Sequence, residues 1–275
     1  QAKAGSGKTV AYAVGILSKI DFTVKKPQAI IVCKSRELCQ QQVQVFKTLV
    51  ACYPNGGEGV VRKVLPLTEY AKQNKGCDEA QRDRKPFTEQ VIICTPGRMK
   101  SKMDKKYDKK GDLSNHVKIL VLDEADALVG DKHTKEILKT LKKAAGKKNR
   151  KLQVVCFSAT YSPENLKEAF RTTGLKDGDE GVQLIKDTSN LVLKLVKQYT
   201  MYFEPRGEGG MDHLLELIRG FFDALGTKMQ QVIIFVNEKA YGRKVADLLT
   251  GDHAVGQLYG GKKGMTNDER DTVMP

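Results

Sequence analysis

Five short runs of this chain are apolar at nearly every position: "AIIVC" (29–33), "VIIC" (91–94), "KILVL" (118–122), "LQVVCF" (152–157) and "VQLI" (182–185). A strand with one wet face alternates apolar and polar residues, whereas a continuous apolar run must be covered on both faces. Segments with helical periodicity stand between the runs, near residues 8–19, 36–50, 134–145 and 163–172. The alternation predicts an α/β fold, with parallel sheets flanked by helices.

Near residue 186 the pattern resets. "KDTSNLVLKLVKQ" reads as a connector and "QYTMYF" as a new strand. A helix follows near 211–225, then a strand at "QVIIFV", a helix near 239–250 and a short strand at "AVGQL". This predicts two domains, residues 1–190 and residues 191–275. The second holds too few strands for a whole sheet.

The 275 residues carry a formal charge of +14, which favours a polyanionic partner or, more plainly, a solvated basic face. Two lysine-rich stretches, "KMDKKYDKKGD" and "KTLKKAAGKKNRK", read as solvated faces or loops. No apolar run approaches a membrane span, so no membrane partner is expected. None of the six cysteines (Cys33, Cys39, Cys52, Cys77, Cys94, Cys156) forms a CxxC pair or has a histidine at metal-ligand spacing. Three of them end apolar runs, where cysteine acts as a small hydrophobe. They read as reduced core residues of an intracellular protein, cytoplasmic or nuclear.

The opening residues contain "AGSGKT", Ala4 to Thr9. The glycines let backbone N–H groups converge on phosphate oxygens, and the following helix adds its dipole. Ala4, Gly5, Ser6, Gly7, Lys8 and Thr9 form the predicted cradle. Lys8 reaches the β- and γ-phosphates and Thr9 holds Mg²⁺. The usual pattern begins with glycine five positions before Gly7, but Ala2 stands there. A glycine-rich turn with a chance lysine is the plain alternative. A second stretch, "KILVLDEAD", weighs against it: a strand ending in acids completes the Mg²⁺ site of phosphate-loop enzymes, the plain alternative being an acidic loop or a helix start that favours acids. Asp123 fits the metal role, and Glu124 can orient or deprotonate the attacking water. Loop and acids together predict a nucleoside triphosphatase.

With these residues the chain resembles the DEAD-box RNA helicases. "DEAD" stands at Asp123-Glu124-Ala125-Asp126, and the family's Ala-x-x-Gly-x-Gly-Lys-Thr matches Ala2 through Thr9, which accounts for the missing glycine. "SAT" (Ser158 to Thr160), "TPGR" (Thr95 to Arg98), "SRELCQQ" (Ser35 to Gln41), "VIIFVN" and "NDER", ending at Arg270, stand in the family's order. Departures are Lys34 for proline, Cys39 for alanine, "PLTEY" in place of a double glycine and Asn267 for glutamine. "LVLKLVKQY" is similar to a segment of translation-initiation and mRNA-export members.

The resemblance implies tandem RecA-like (P-loop NTPase) domains, the second incomplete. It implies an ATP-dependent RNA helicase that uses ATP and Mg²⁺ and unwinds duplexes locally. Lys8, Asp123 and Glu124 would be catalytic, and Ser158 and Thr160 would couple ATP to RNA. Arg36, Thr95, Gly97, Arg98 and Arg270 would hold RNA, single-stranded or duplex, by its backbone and without sequence preference. The resemblance also implies a fragment. Family members have a strand, a helix and an adenine-recognition motif before the loop, and two further arginine-bearing motifs after the last one here. Three rivals stay open: a small-molecule kinase or GTPase, an ATP-gated RNA clamp with little unwinding, and a DNA helicase. The first lacks an Asn-Lys-x-Asp guanine motif.

Overall fold

In the computed structural model of the chain, neighbouring residues of strand β1 (Ala29–Cys33) enter two different cores. Ala29, Ile31 and Cys33 join one cluster, Ile30 and Val32 the other, and all five are buried. This is the double coverage that a continuous apolar run demands. The structure describes residues 1–2, 5–52, 60–64, 87–104, 113–160, 162–174, 182–185, 197, 199–202, 210–225, 231–257 and 259.

The chain divides into two compact units, Gln1–Lys197 and Gln198–Pro275. The first holds a parallel five-stranded sheet in the order β2-β3-β1-β4-β5. Its other strands are β2 (Val61–Val64), β3 (Val91–Cys94), β4 (Ile119–Asp123) and β5 (Gln153–Phe157). The register brings the carboxyl ends level: Val32 lies opposite Cys94, Cys33 opposite Asp123, and Asp123 opposite Phe157. Helices α1 (Lys8–Leu17) and α2 (Arg36–Ala51) cover one face through Tyr12, Ile16, Phe46 and Val50. Beyond β3 comes α3 (Pro96–Met103), beyond β4 the single turn α4 (Ala125–Leu128) and α5 (Lys132–Lys147), and beyond β5 α6 (Pro163–Thr173). Met99, Leu128, Ile137, Leu141 and Ala169 from these helices fill the core on the other face.

Local chemistry explains where the helices begin. Ser35, Asp131 and Ser162 cap α2, α5 and α6, accepting from the N–H of Leu38 (3.3 Å), Thr134 (2.7 Å) and Asn165 (3.1 Å). Each such cap is worth about 0.5–2 kcal/mol. Gly174 ends α6 in the left-handed region, φ 65°, where glycine carries no Cβ penalty.

Four of the five expected strands of the first unit are present. The fifth is a correction: Val182–Ile185 forms no strand, and Leu184 and Ile185 are exposed. A strand needs a ladder partner, and a short apolar run does not specify one. One lysine reading is also corrected, because Lys102 is buried in α3. Most of its stretch, with Cys77, "PLTEY" and "LVLKLV", lies outside the described residues.

In the second unit, α7 (Gly210–Leu225) touches α8 (Lys239–Leu249), and Arg219 stands 3.7 Å from Asp252. The described residues of "QYTMYF", "QVIIFV" and "AVGQL" form no strands. Ile233 and Phe235 are 79% and 92% exposed. Among the described residues no neighbouring strand lies beside them, so their backbone finds no ladder and their side chains no cover. Among the described residues, no helix is long and apolar enough to cross a membrane.

Candidate nucleotide and nucleic-acid site

The loop before α1 turns on two glycines. Gly5 and Gly7 have φ of 73° and 83°, a region that costs a side-chain-bearing residue free energy, and Gly7 caps the helix there. Ala4 lies outside the described residues. Gly5, Ser6 and Gly7 are exposed, as a phosphate cradle requires. Lys8 Nζ bridges the loop, donating to Ala2 O at 2.7 Å. The N–H of Ala2 in turn donates to Ser158 O (3.2 Å), placing the loop beside the end of β5.

Asp123 closes β4 and is buried. Its Oδ2 accepts from Gln42 Nε2 at 2.9 Å and lies 3.1 Å from the Tyr12 hydroxyl. Gln42 Nε2 also stands 3.3 Å from Thr9 Oγ1, while Gln42 Oε1 accepts from Tyr12 at 2.5 Å. The amide can be oriented in only one way. Reversed, it would set its carbonyl against a carboxylate and its NH₂ against the hydroxyl. Burial, and then the charge of Asp123, push the Tyr12 hydroxyl far above the ordinary phenol range, so it stays protonated.

One amide nitrogen therefore gathers a threonine hydroxyl and an aspartate oxygen. A hydroxyl and a carboxylate are the hard oxygen donors that Mg²⁺ takes, with one or two carboxylates and substrate phosphates completing the set. Among the described residues no group of three or more His, Cys, Asp or Glu could hold a metal by itself. The donor set thus fits a cation shared with a phosphate.

Glu124 follows Asp123 with φ 54°, a left-handed conformation rare outside glycine, and its side chain is exposed. Its N–H lies 3.1 Å from Asp123 Oδ1. Two residues on, Asp126 accepts from Ser158 Oγ (2.6 Å) and from Thr160 Oγ1 (3.1 Å). Ser158, 1% exposed, also accepts from Thr160 N at 3.1 Å. The acid motif and the "SAT" segment thus form one hydrogen-bonded unit across β4 and β5.

The residues expected to meet nucleic acid follow β1 and β3 at the same edge of the sheet. Arg36 opens α2 behind its Ser35 cap. Thr95 caps α3, Pro96 starts it, and Gly97 and Arg98 form its first turn. Nε and Nη2 of Arg98 are shielded from solvent, unlike a free surface charge. Arg270 lies outside the described residues. A cavity of about 530 Å³ lined by Lys19, Gln28, Lys118 and Lys151 lies at the other edge, where β4 and β5 begin. In open α/β sheets, ligands bind at the carboxyl edge.

Three site residues escaped the sequence reading: Tyr12, Gln42 and Asp126. Asp126 had a signal in the four-residue acid motif itself. Gln42 had none, since Gln40, Gln41 and Gln42 are alike in sequence and only the helix phase buries the third.

The profile of the DEAD/DEAH box helicase family matches residues 1–169. The DEAD-box ATP-dependent RNA helicase 38 of Arabidopsis thaliana is 31% identical over 275 residues, covering 100% of this chain and 50% of the relative. The ATP-dependent RNA helicase FAL1 of Meyerozyma guilliermondii is 31% identical over 280 residues, covering 100% and 60%. The chain thus spans between half and two thirds of their length. The structure of S. cerevisiae Dbp5 bound to RNA and ADP BeF3 is similar in fold, with TM-score 0.67 and 24% identity over 100% of this chain and 61% of that one. A DNA-bound helicase, MrfA, is also similar in fold (TM-score 0.60, 17% identity, covering 91% and 33%), so fold does not choose the nucleic acid. The family profile spans the phosphate loop, the acid motif and the segment after β5, and this chain belongs to the DEAD/DEAH box helicase family.

Proposed function

We propose that the chain works as an ATP-dependent RNA helicase, hydrolysing ATP when RNA is bound and separating short duplexes locally. In this reading residues 1–190 form the first RecA-like helicase domain and 191–275 the N-terminal part of the second, acting in the cytoplasm or nucleus. The observation that carries the proposal is the joining of two motifs: Asp123 gathers Thr9 through Gln42, and Asp126, one turn later, gathers Ser158 and Thr160.

Phosphoryl transfer to water needs positioning and charge neutralisation more than covalent chemistry. Gly5, Ser6, Gly7 and Lys8, with Ala4 beside them, cradle the phosphates by backbone N–H groups and one ammonium. Thr9 and Asp123 would hold Mg²⁺, which when bound neutralises phosphate charge. Glu124, exposed beside Asp123, orients the attacking water and accepts its proton. Asp126 carries the presence of nucleotide to Ser158 and Thr160. Arg36, Thr95, Gly97, Arg98 and Arg270 grip the RNA backbone, which positions the strand without reading its sequence.

The reading is tested by nucleotide turnover with and without RNA. RNA should stimulate hydrolysis more than DNA of the same sequence, and Arg98→Ala should weaken binding of all RNAs alike. Glu124→Gln should bind ATP and RNA but stop turnover. Equal stimulation by DNA, or wild-type turnover in Glu124→Gln, would overturn it. A strand-displacement assay on a short duplex measures the unwinding itself.

A further inference from the structure

We propose that the outward face of α5 is a second RNA-backbone surface, continuing the strand held at Thr95–Arg98. The proposal rests on the RNA reading above and extends it to residues outside the family motifs.

Residues 132–151 carry nine lysines and arginines against one acid, Glu136. By composition this is a solvated run; the fold sorts it into three faces. Thr134, Ile137, Leu138, Leu141, Ala144 and Ala145 are buried against the sheet. On one flank, Lys135 bonds Glu168 at 2.5 Å and Lys142 donates to Thr173 O, so α6 takes up both. Glu136, on the outward side four residues after Lys132, stands 3.4 Å from Lys100 of α3. That leaves Lys132, Lys139 and Lys143 in line on the outward side, opposite the buried stripe, all three exposed. Among the described residues no acid lies in ion-pair reach of them.

Local helix electrostatics disfavour two features of this stripe. Lys132 stands at the first position of the helix, where the macrodipole disfavours cations, and the first turn holds no acid. Lys139 and Lys143 are like charges four apart, a destabilising spacing. The one acid in this line, Glu136, is engaged by Lys100 of α3, so the line keeps three lysines and a net positive charge.

Position decides the partner. A Cβ placed on Gly97 would stand 3.6 Å from Cδ2 of His133, so the first turn of α5 touches the loop expected to hold RNA phosphates. Helix α3, which begins in that loop, packs along α5. Lys132 to Lys143 extends the positive surface by about 16 Å at 1.5 Å per residue. A strand leaving the loop meets that stripe next. An acidic protein segment would also suit the charge, but continuity with the loop favours RNA.

The test combines Lys132→Gln, Lys139→Gln and Lys143→Gln in the purified protein, with a non-hydrolysable ATP analogue present. Fluorescence anisotropy compares oligouridylates of about 6 and about 24 nucleotides, the short one within the site size of one single-strand groove. The short RNA should bind as to wild type. The long RNA should bind several-fold more weakly, and its log–log salt slope should fall by about 2, roughly 0.7 for each phosphate that a lysine no longer neutralises. A Lys135→Gln/Lys142→Gln control should leave both affinities unchanged. Equal weakening for both RNAs, or for neither, overturns the proposal. So does a triple variant that fails only in polyglutamate binding, which would assign the face to an acidic polypeptide. Failure of the RNA reading itself would look different, since Arg98→Ala would then weaken neither RNA.

Discussion

Gln42 Nε2 donates to Asp123 Oδ2 across 2.9 Å, and that bond satisfies a buried carboxylate oxygen where the strand ends. Tyr12 seals the same amide from below. We expect Gln42→Leu to leave Asp123 and Tyr12 without their closest partner. Stability should fall by about 1–3 kcal/mol, the cost of an unsatisfied buried polar group. Mg²⁺-dependent binding of a fluorescent ADP should weaken by about 10-fold or more, as for groups that orient metal ligands. Tyr12→Phe should cost less, because Gln42 still serves Asp123. Thermal melts and a Mg²⁺ titration check both; unchanged Mg²⁺ dependence in Gln42→Leu would remove the positioning role.

Lys8→Ala should abolish nucleotide binding and leave the melting temperature nearly unchanged. Lys8 opens α1 directly after the loop, and its Nζ donates to Ala2 O across that loop. Calorimetric titration with ATP and a melting curve separate the two effects. A large loss of stability would mean that Lys8 holds the fold and not the phosphates.

Ser158→Ala removes the 2.6 Å bond to Asp126 but leaves the one from Thr160. The expected cost in stability is about 1 kcal/mol. RNA stimulation of hydrolysis should fall severalfold while ATP affinity holds. Stimulation at the wild-type level would sever Ser158 from the coupling.

Thiol reactivity should sort by position. A hydrogen bond with Cys39 and burial push the Cys33 thiol far up, and burial does the same for Cys94. Cys52 is exposed. The thiolate is the nucleophile, so in the native protein Cys52 should alkylate about 100-fold or more faster than Cys33 or Cys94. Mass spectrometry after timed iodoacetamide treatment reads the order. Early labelling of Cys33 would contradict the packing of β1.

Acid should weaken the contact between α5 and α6. The hydrogen bond from Lys135 holds the Glu168 carboxyl below the ordinary glutamate range, with Arg171 adding to it. A depressed carboxylate contributes stability above its unfolded pKa and loses it as pH falls through the folded value. The melting-temperature gap between wild type and Lys135→Gln should therefore be small but present at neutral pH and vanish once Glu168 is protonated. A gap that persists in acid would place the effect in packing.

Much of this protein was legible from residue order. Continuous apolar runs demand a sheet covered twice, and "AIIVC" and "KILVL" became adjacent buried strands for that reason. The glycines of the loop and the acids after β4 have their roles in local geometry, φ values and strand ends, which neighbouring residues determine. Only the tertiary structure decided three further matters. It buried Gln42 and exposed Gln41, because the phase of α2 against the sheet selects one of three consecutive glutamines. It joined Asp126 to Ser158, 32 residues apart in the chain. Among the described residues it also left "QVIIFV" exposed and without a strand beside it, and a strand exists only where another backbone offers it hydrogen bonds. Apolar character and backbone turns belong to the local chain; burial and partnership arise only when distant segments meet.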